Sequence, residues 1–218
     1  MTCGSHVAGI LPSLDRPRES GALKRLRRNV APLCVITGAL TSLTAAIGRV
    51  IIDPDHLAEK SGDPAVVING VVALIASLLL VFVLIGLYER QGEGGGSLRA
   101  SAFTVALAGT VLLAGDFWFE AFVVPYLADV APAALDADPG GTLLAGAAVT
   151  FILFGVGWLL VGITSYRDAS LPRAPVILVT AAALIGASPG SLGKVVFGIG
   201  LIWLGLSLPR TSLSPVGS

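Results

Sequence analysis

The chain has 218 residues, 54% of them hydrophobic and 13% charged, with a mean hydropathy of +0.85 and a formal net charge of zero. A soluble domain carries about a quarter charged residues, so this composition excludes an ordinary water-soluble globule and makes the bilayer the expected solvent. The apolar runs use most of the length, which leaves too little polar sequence for a second, soluble domain.

In chain order, residues 1–29 form a polar leader in which Arg16, Arg18, Lys24, Arg25, Arg27 and Arg28 crowd the start of the first apolar run. Basic residues beside such a run hold that side in the cytoplasm, and the length of the run predicts a retained anchor rather than a cleaved signal peptide. The cluster at 24–28 suits anionic lipid of the inner leaflet. It is too short, and too poor in aromatics, to suit nucleic acid. Cys3 in the leader and Cys34 in the first run differ too much in depth to form a disulfide.

A hydrocarbon core of about 30 Å takes about 20 helical residues. Four runs reach or approach that length, at 30–52, 65–88, 98–125 and 142–166. The run at 174–208 is too long for one helix, and Ser188-Pro189-Gly190-Ser191 interrupts it with a turn-forming cluster, which predicts a tight helical hairpin with two short arms. The expected fold is therefore all-α, a polytopic transmembrane helical bundle of six spans over 30–208 followed by a cytoplasmic tail at 209–218. Five spans, or a re-entrant last hairpin, are the alternatives.

Between the first two spans, Asp53, Asp55, His56 and Glu59 offer oxygen and imidazole donors. With no second histidine nearby, the segment reads as a solvated turn and no metal site is expected. The segment 91–97, QGEGGGS, lacks the Gly-Lys-Ser/Thr ending of a phosphate-cradling loop and reads as a flexible linker. Six spans place eleven basic residues on the cytoplasmic side, the leader's six with Arg90, Arg99, Arg167, Arg173 and Arg210, and leave Arg49, Lys60 and Lys194 outside. A multi-pass protein of the cell membrane with both termini cytoplasmic is the expected topology. Tyr88 and Tyr166 at inner helix ends, with Phe117, Trp118, Phe119 and Tyr126 near an outer end, fit interfacial aromatic belts.

Ala102, Ala106, Thr110 and Ala114 recur every four residues in the third span, and Gly155, Gly157, Gly162, Gly198, Gly200 and Gly205 dot the later ones. Small residues of this kind serve close helix packing inside the bundle or a homo-oligomer, rather than a pore lining.

The third span ends in Gly115-Asp116-Phe117-Trp118-Phe119-Glu120, and the spacing of four sets both carboxylates on one helical face. Counting the rise from the inner ends brings Asp116, Glu120 and the first span's Arg49 to similar outer depths, where they can pair. With Lys194 they form a candidate outer-leaflet ion-pair or binding cluster; solvated carboxylates and a snorkelling arginine are the structural alternative. No nucleophile has a base partner within the spans, there is no second intramembrane aspartate, and both histidines, His6 and His56, lie outside the spans, which disfavours a membrane haem. No enzyme activity and no cofactor are expected. The leading expectation is a non-enzymatic role in interaction or support within the membrane. The alternative is a small transporter or ion-coupled carrier using the outer carboxylate pair, and a lipid-acting enzyme with Glu120 or His56 as base is the least supported.

Overall fold

The computed structural model describes residues 21–51, 60–91, 96–135, 137, 140–169, 171–186 and 191–209, and all their regular structure is helical. Asp53, Asp55, His56 and Glu59, the glycine run at 92–95, and the Ser188-Pro189-Gly190 break lie outside the described residues. The helices are α1 (Gly21–Ile51), α2 (Pro64–Arg90), α3 (Gly96–Trp118), a π turn (Phe119–Val123), α4 (Val124–Val130), α5 (Pro132–Leu135), α6 (Gly141–Arg167), α7 (Arg173–Gly186) and α8 (Ser191–Ser207). Helix α1 begins eight residues before the leader's predicted end, so the basic segment leading into the first span is itself helical.

Local chemistry explains the boundaries. Asp63 caps α2 by accepting a 2.8 Å hydrogen bond from the Ala65 N–H, and Pro64 fills the first helical position, where a missing N–H costs nothing. At the far end of α3 the chain does not stop but widens into the π turn just ahead of Pro125. A proline ring there would clash with the carbonyl four residues back, on Ala121, and the wider turn relieves that clash.

Four helices are long and apolar enough to cross a membrane: Arg28–Ile51, Pro64–Arg90, Gly96–Val130 and Gly141–Arg167, of 24, 27, 35 and 27 residues. The last two, α7 and α8, are apolar but only 14 and 17 residues long. Large apolar side chains are exposed on every one of the six, among them Ile36, Phe82, Val111, Ile152, Ile177 and Trp203. So much exposed apolar surface on all sides would aggregate in water and suits lipid. The molecule is a helical membrane protein.

The packing partners close a ring, with α1 against α2, α2 against α3, α3 against α6, α6 against α7, α7 against α8, and α8 back against α1. Close approach is made possible by small residues. A Cβ on Gly109 would lie 2.3 Å from the Phe154 nitrogen, and one on Gly157 would lie 2.3 Å from the Ala106 Cα, so the backbones of α3 and α6 nearly touch. Gly38 and Gly198 make the same kind of seam between α1 and α8, where the Ser42 hydroxyl also donates to the Val195 carbonyl at 3.1 Å. The stripe Ala102, Ala106, Thr110 and Ala114 is buried inside the chain by these contacts. Thr104, Thr110 and Thr150 donate to the carbonyls four residues back, as intramembrane hydroxyls commonly do.

Gly109→Val should therefore lose about 1 to 3 kcal/mol of stability by forcing α3 off α6. Gly146→Ala, in the open with nothing near its Cβ position, should be neutral or stabilising by up to about 1 kcal/mol. Reversible denaturation of the two purified variants in detergent compares them directly.

Candidate functional site

Inside the ring lies a cavity of about 610 Å³. Its wall comes from the C-terminal part of α1, the N-terminal half of α2, the end of α3 with the π turn, α6 near its middle, the C-terminal part of α7 and the N-terminal part of α8. Alternate helices thus contribute opposite ends, so the six run alternately up and down and the cavity occupies one end of the bundle. On α2 the lining residues Val66, Asn69, Gly70, Ala73, Ala76, Ser77 and Leu80 recur every three or four positions. They cover one face from Val66 to Leu80, about 21 Å of depth. Thr41, Thr44, Ala45 and Gly48 make the matching face of α1. The side chains on both faces are small, and the space they leave is the cavity.

The floor is apolar. Phe154 and Phe197 line it, and their ring centroids are 5.5 Å apart. Trp158 packs edge-on against Phe197 at 5.2 Å and is 2% exposed. The edge-packed aromatic rings and Leu80 form the end of the cavity that faces the rest of the bundle core.

Charges gather nearer the mouth. Arg49, Glu120 and Lys194 line the cavity, while Asp116, one turn before Glu120, is half-buried beside it without lining it. The Lys194 charge acts on both carboxylates, and Asp116 acts on Glu120. The Lys194 ammonium also sits 5.1 Å from the centroid of the Phe117 ring, a cation–π contact. Arg49 remains exposed and forms no ion pair with either carboxylate. Among the four predicted cluster residues, then, the cation in electrostatic contact with the carboxylates is Lys194, and Arg49 faces the same space separately.

The π turn sets this geometry. Ala121 packs on Gly70, whose Cβ position would be 3.1 Å from the Ala121 Cα. Gly70 is six residues past Pro64, so Glu120 enters about 9 Å below the start of α2. Its side chain is exposed there and lines the cavity. Asn69, on the same wall, has an amide oxygen with no hydrogen-bond partner.

At the opposite end, polar side chains fasten α2, α3 and α6 together. Arg99 is only 8% exposed, donates to the Tyr88 carbonyl and lies 4.2 Å from the centroid of the Tyr88 ring, which stacks at 4.4 Å on Phe103. Gln91 donates to the Ser165 hydroxyl. Tyr88 is thus engaged within the bundle, whereas Trp118, Tyr126 and Tyr166 are exposed, as interfacial anchors are. The sequence pattern treats Arg99 as one more cytoplasmic loop cation; its burial follows from an α3 that starts three residues earlier, at Gly96.

No group of three or more potential metal ligands occurs among the described residues. Comparison of the chain with protein-family models, with curated proteins and with solved structures gives no match.

If Lys194 balances Asp116 and Glu120, Lys194→Gln should cost about 1 kcal/mol, the scale of a partly solvated charge group. The same change should cost about 0.5 kcal/mol less once Asp116→Asn and Glu120→Gln are present, since coupled charges are not additive. A double-mutant cycle on thermal unfolding measures that difference.

Proposed function

We propose that the protein is a small carrier of the cell membrane that admits a ligand from the external side into its central cavity. The observation that carries this is the cavity itself, since packed protein interiors leave few voids larger than a water molecule and a purely supporting bundle has no use for a space of about 610 Å³. A concave, mostly apolar space with a few convergent polar groups is the usual form of a ligand site, and ionisable residues at membrane depth usually mark a ligand or ion pathway.

Six spans, with both termini in the cytoplasm, fit this role. The two short helices supply the ring's closing contacts to α6 and α1, and together they carry Lys194 and Phe197 to the cavity wall. Helices of 14 and 17 residues match a locally thinned bilayer at modest cost. The cluster at 24–28 and the basic residues at 90, 99, 167 and 173 collect at the end away from the cavity, which favours an outward-facing mouth.

Single cysteines test the proposal in a background carrying Cys3→Ala and Cys34→Ala. A membrane-impermeant thiol reagent applied to whole cells should label Thr41→Cys and Asn69→Cys, both partly exposed on the cavity wall, and leave Leu84→Cys, which is buried outside it, unreacted. Inverted vesicles should also label Thr41→Cys, more slowly, as the carrier turns over. Failure of both cavity positions to react from outside would overturn the carrier reading.

A further inference from the structure

The cavity has two chemically distinct levels, and their arrangement restricts what can fill it. Toward the mouth there are separate charges of both signs. Glu120 supplies a carboxylate to the wall and Lys194 an ammonium. Arg49 lines the same space with no ion pair among the described residues. A ligand carrying only one charge would engage the groups of one sign and leave those of the other sign unmatched at the mouth, where a partly desolvated, unpaired charge is costly. A head bearing an ammonium and an anion satisfies both.

Beneath the charges the wall becomes apolar. It descends along Ala73, Ala76 and Leu80 to Phe154 and Phe197. The lined face of α2 is about 21 Å long, far more than a free amino acid spans, and about the length of a single extended hydrocarbon chain. Burial of such a chain is favourable by about 0.8 kcal/mol per CH₂ relative to water, so the floor rewards length.

We infer that the ligand is a single-chain zwitterionic amphiphile, held head-outward between Arg49 and Glu120 with its chain end on the Phe154 and Phe197 rings. This rests on the proposed ligand cavity and names the class of molecule that enters it. The same head chemistry occurs in a lysophospholipid drawn from the outer leaflet and in a short amphiphilic amino acid taken from solution. The depth of the cavity favours the first.

Trp158, packed against both floor rings at 5.2 and 6.2 Å, is a reporter for the chain end. The full-length protein carrying Trp118→Phe and Trp203→Phe retains Trp158 as its sole tryptophan. In maltoside micelles it should show saturable quenching by lysophosphatidylethanolamine brominated at the end of its acyl chain. Arg49→Gln and Glu120→Gln should each weaken that binding roughly tenfold, the scale of one charge-assisted hydrogen bond. The brominated lysophosphatidic acid, which lacks the ammonium, and the brominated alkylamine, which lacks the anion, should bind weaker by a similar factor. Ala73→Leu, an apolar change that narrows the cavity and leaves the charges in place, should abolish saturation while the far-ultraviolet spectrum stays helical.

Equal binding of all three probes would overturn the zwitterionic head, and competition by free leucine as strong as by the lysophospholipid would overturn the long chain. Absence of quenching by any probe, with Thr41→Cys still labelled from outside, would overturn the amphiphile while the carrier reading stands. Absence of both quenching and labelling would remove the two together.

Discussion

Close approach of helix backbones is the constraint on which this structure depends. In hydrocarbon no hydrophobic effect draws one apolar helix to another, so association relies on van der Waals contact and on the few hydrogen bonds between helices. The seams at Gly109, Ala106 and Gly157 between α3 and α6, and at Gly38 and Gly198 between α1 and α8, supply that contact at backbone distance. Where small residues meet a partner backbone they make a seam. Where α1 and α2 carry small residues on their inward faces without such a partner, at Gly48, Ala73 and Ala76, they leave open space instead. The same residue types thus both hold the ring together and hollow out one end of it.

The π turn links that packing to the charged group. An uninterrupted α-helix through Pro125 would clash with the Ala121 carbonyl. The wider turn avoids this and seats Ala121 on Gly70 at the cavity wall. Glu120 is thereby carried below the rim, to where Lys194 of α8 acts on it. The position of one carboxylate follows from a proline five residues further along, a coupling of backbone strain to site geometry that is common for π turns at functional positions.

Much of the helix layout was legible from composition and run length, because hydrocarbon thickness sets a strict length for a helix. The four long runs and the interrupted last segment correspond to α1, α2, α3 and α6 and to the pair α7 and α8, with boundaries shifted by a few residues at most of the ends. Counting rise per residue also set Arg49 and Glu120 at a common end, and both line the cavity. Less legible were the inward faces of α1 and α2. Their small residues look like any packing stripe until the partner helix is known, and the stripe at Ala102, Ala106 and Thr110, more regular in sequence, is used for packing. The electrostatic partner of the carboxylates could not be read either. Arg49 and Lys194 are both basic residues near one depth, and α3 packs on α2 and α6 rather than chiefly on α1 or α8, so only the three-dimensional placement of the side chains separates them.

The two ends of the bundle differ in a way that bears on directionality. One end is open, with charges of both signs above an apolar floor. The other is closed by Arg99, Tyr88 and Phe103 stacked on one another and by Gln91 bonded to Ser165. A guanidinium that is 8% exposed, with its Nε unbonded and a carbonyl and a ring as its described partners, is held at some cost. For the proposed carrier, which must reopen the end it has closed, a latch of a few polar contacts is easier to exchange for water than a dry seam of the Gly109 and Gly157 kind. On that reading the glycine seams keep α3 on α6 and α1 on α8, and the polar contacts of α2 with α3 and α6 are the ones that part. The carrier would then use one fixed set of contacts and one exchangeable set, with the aromatic floor of Phe154, Phe197 and Trp158 between the ends they govern.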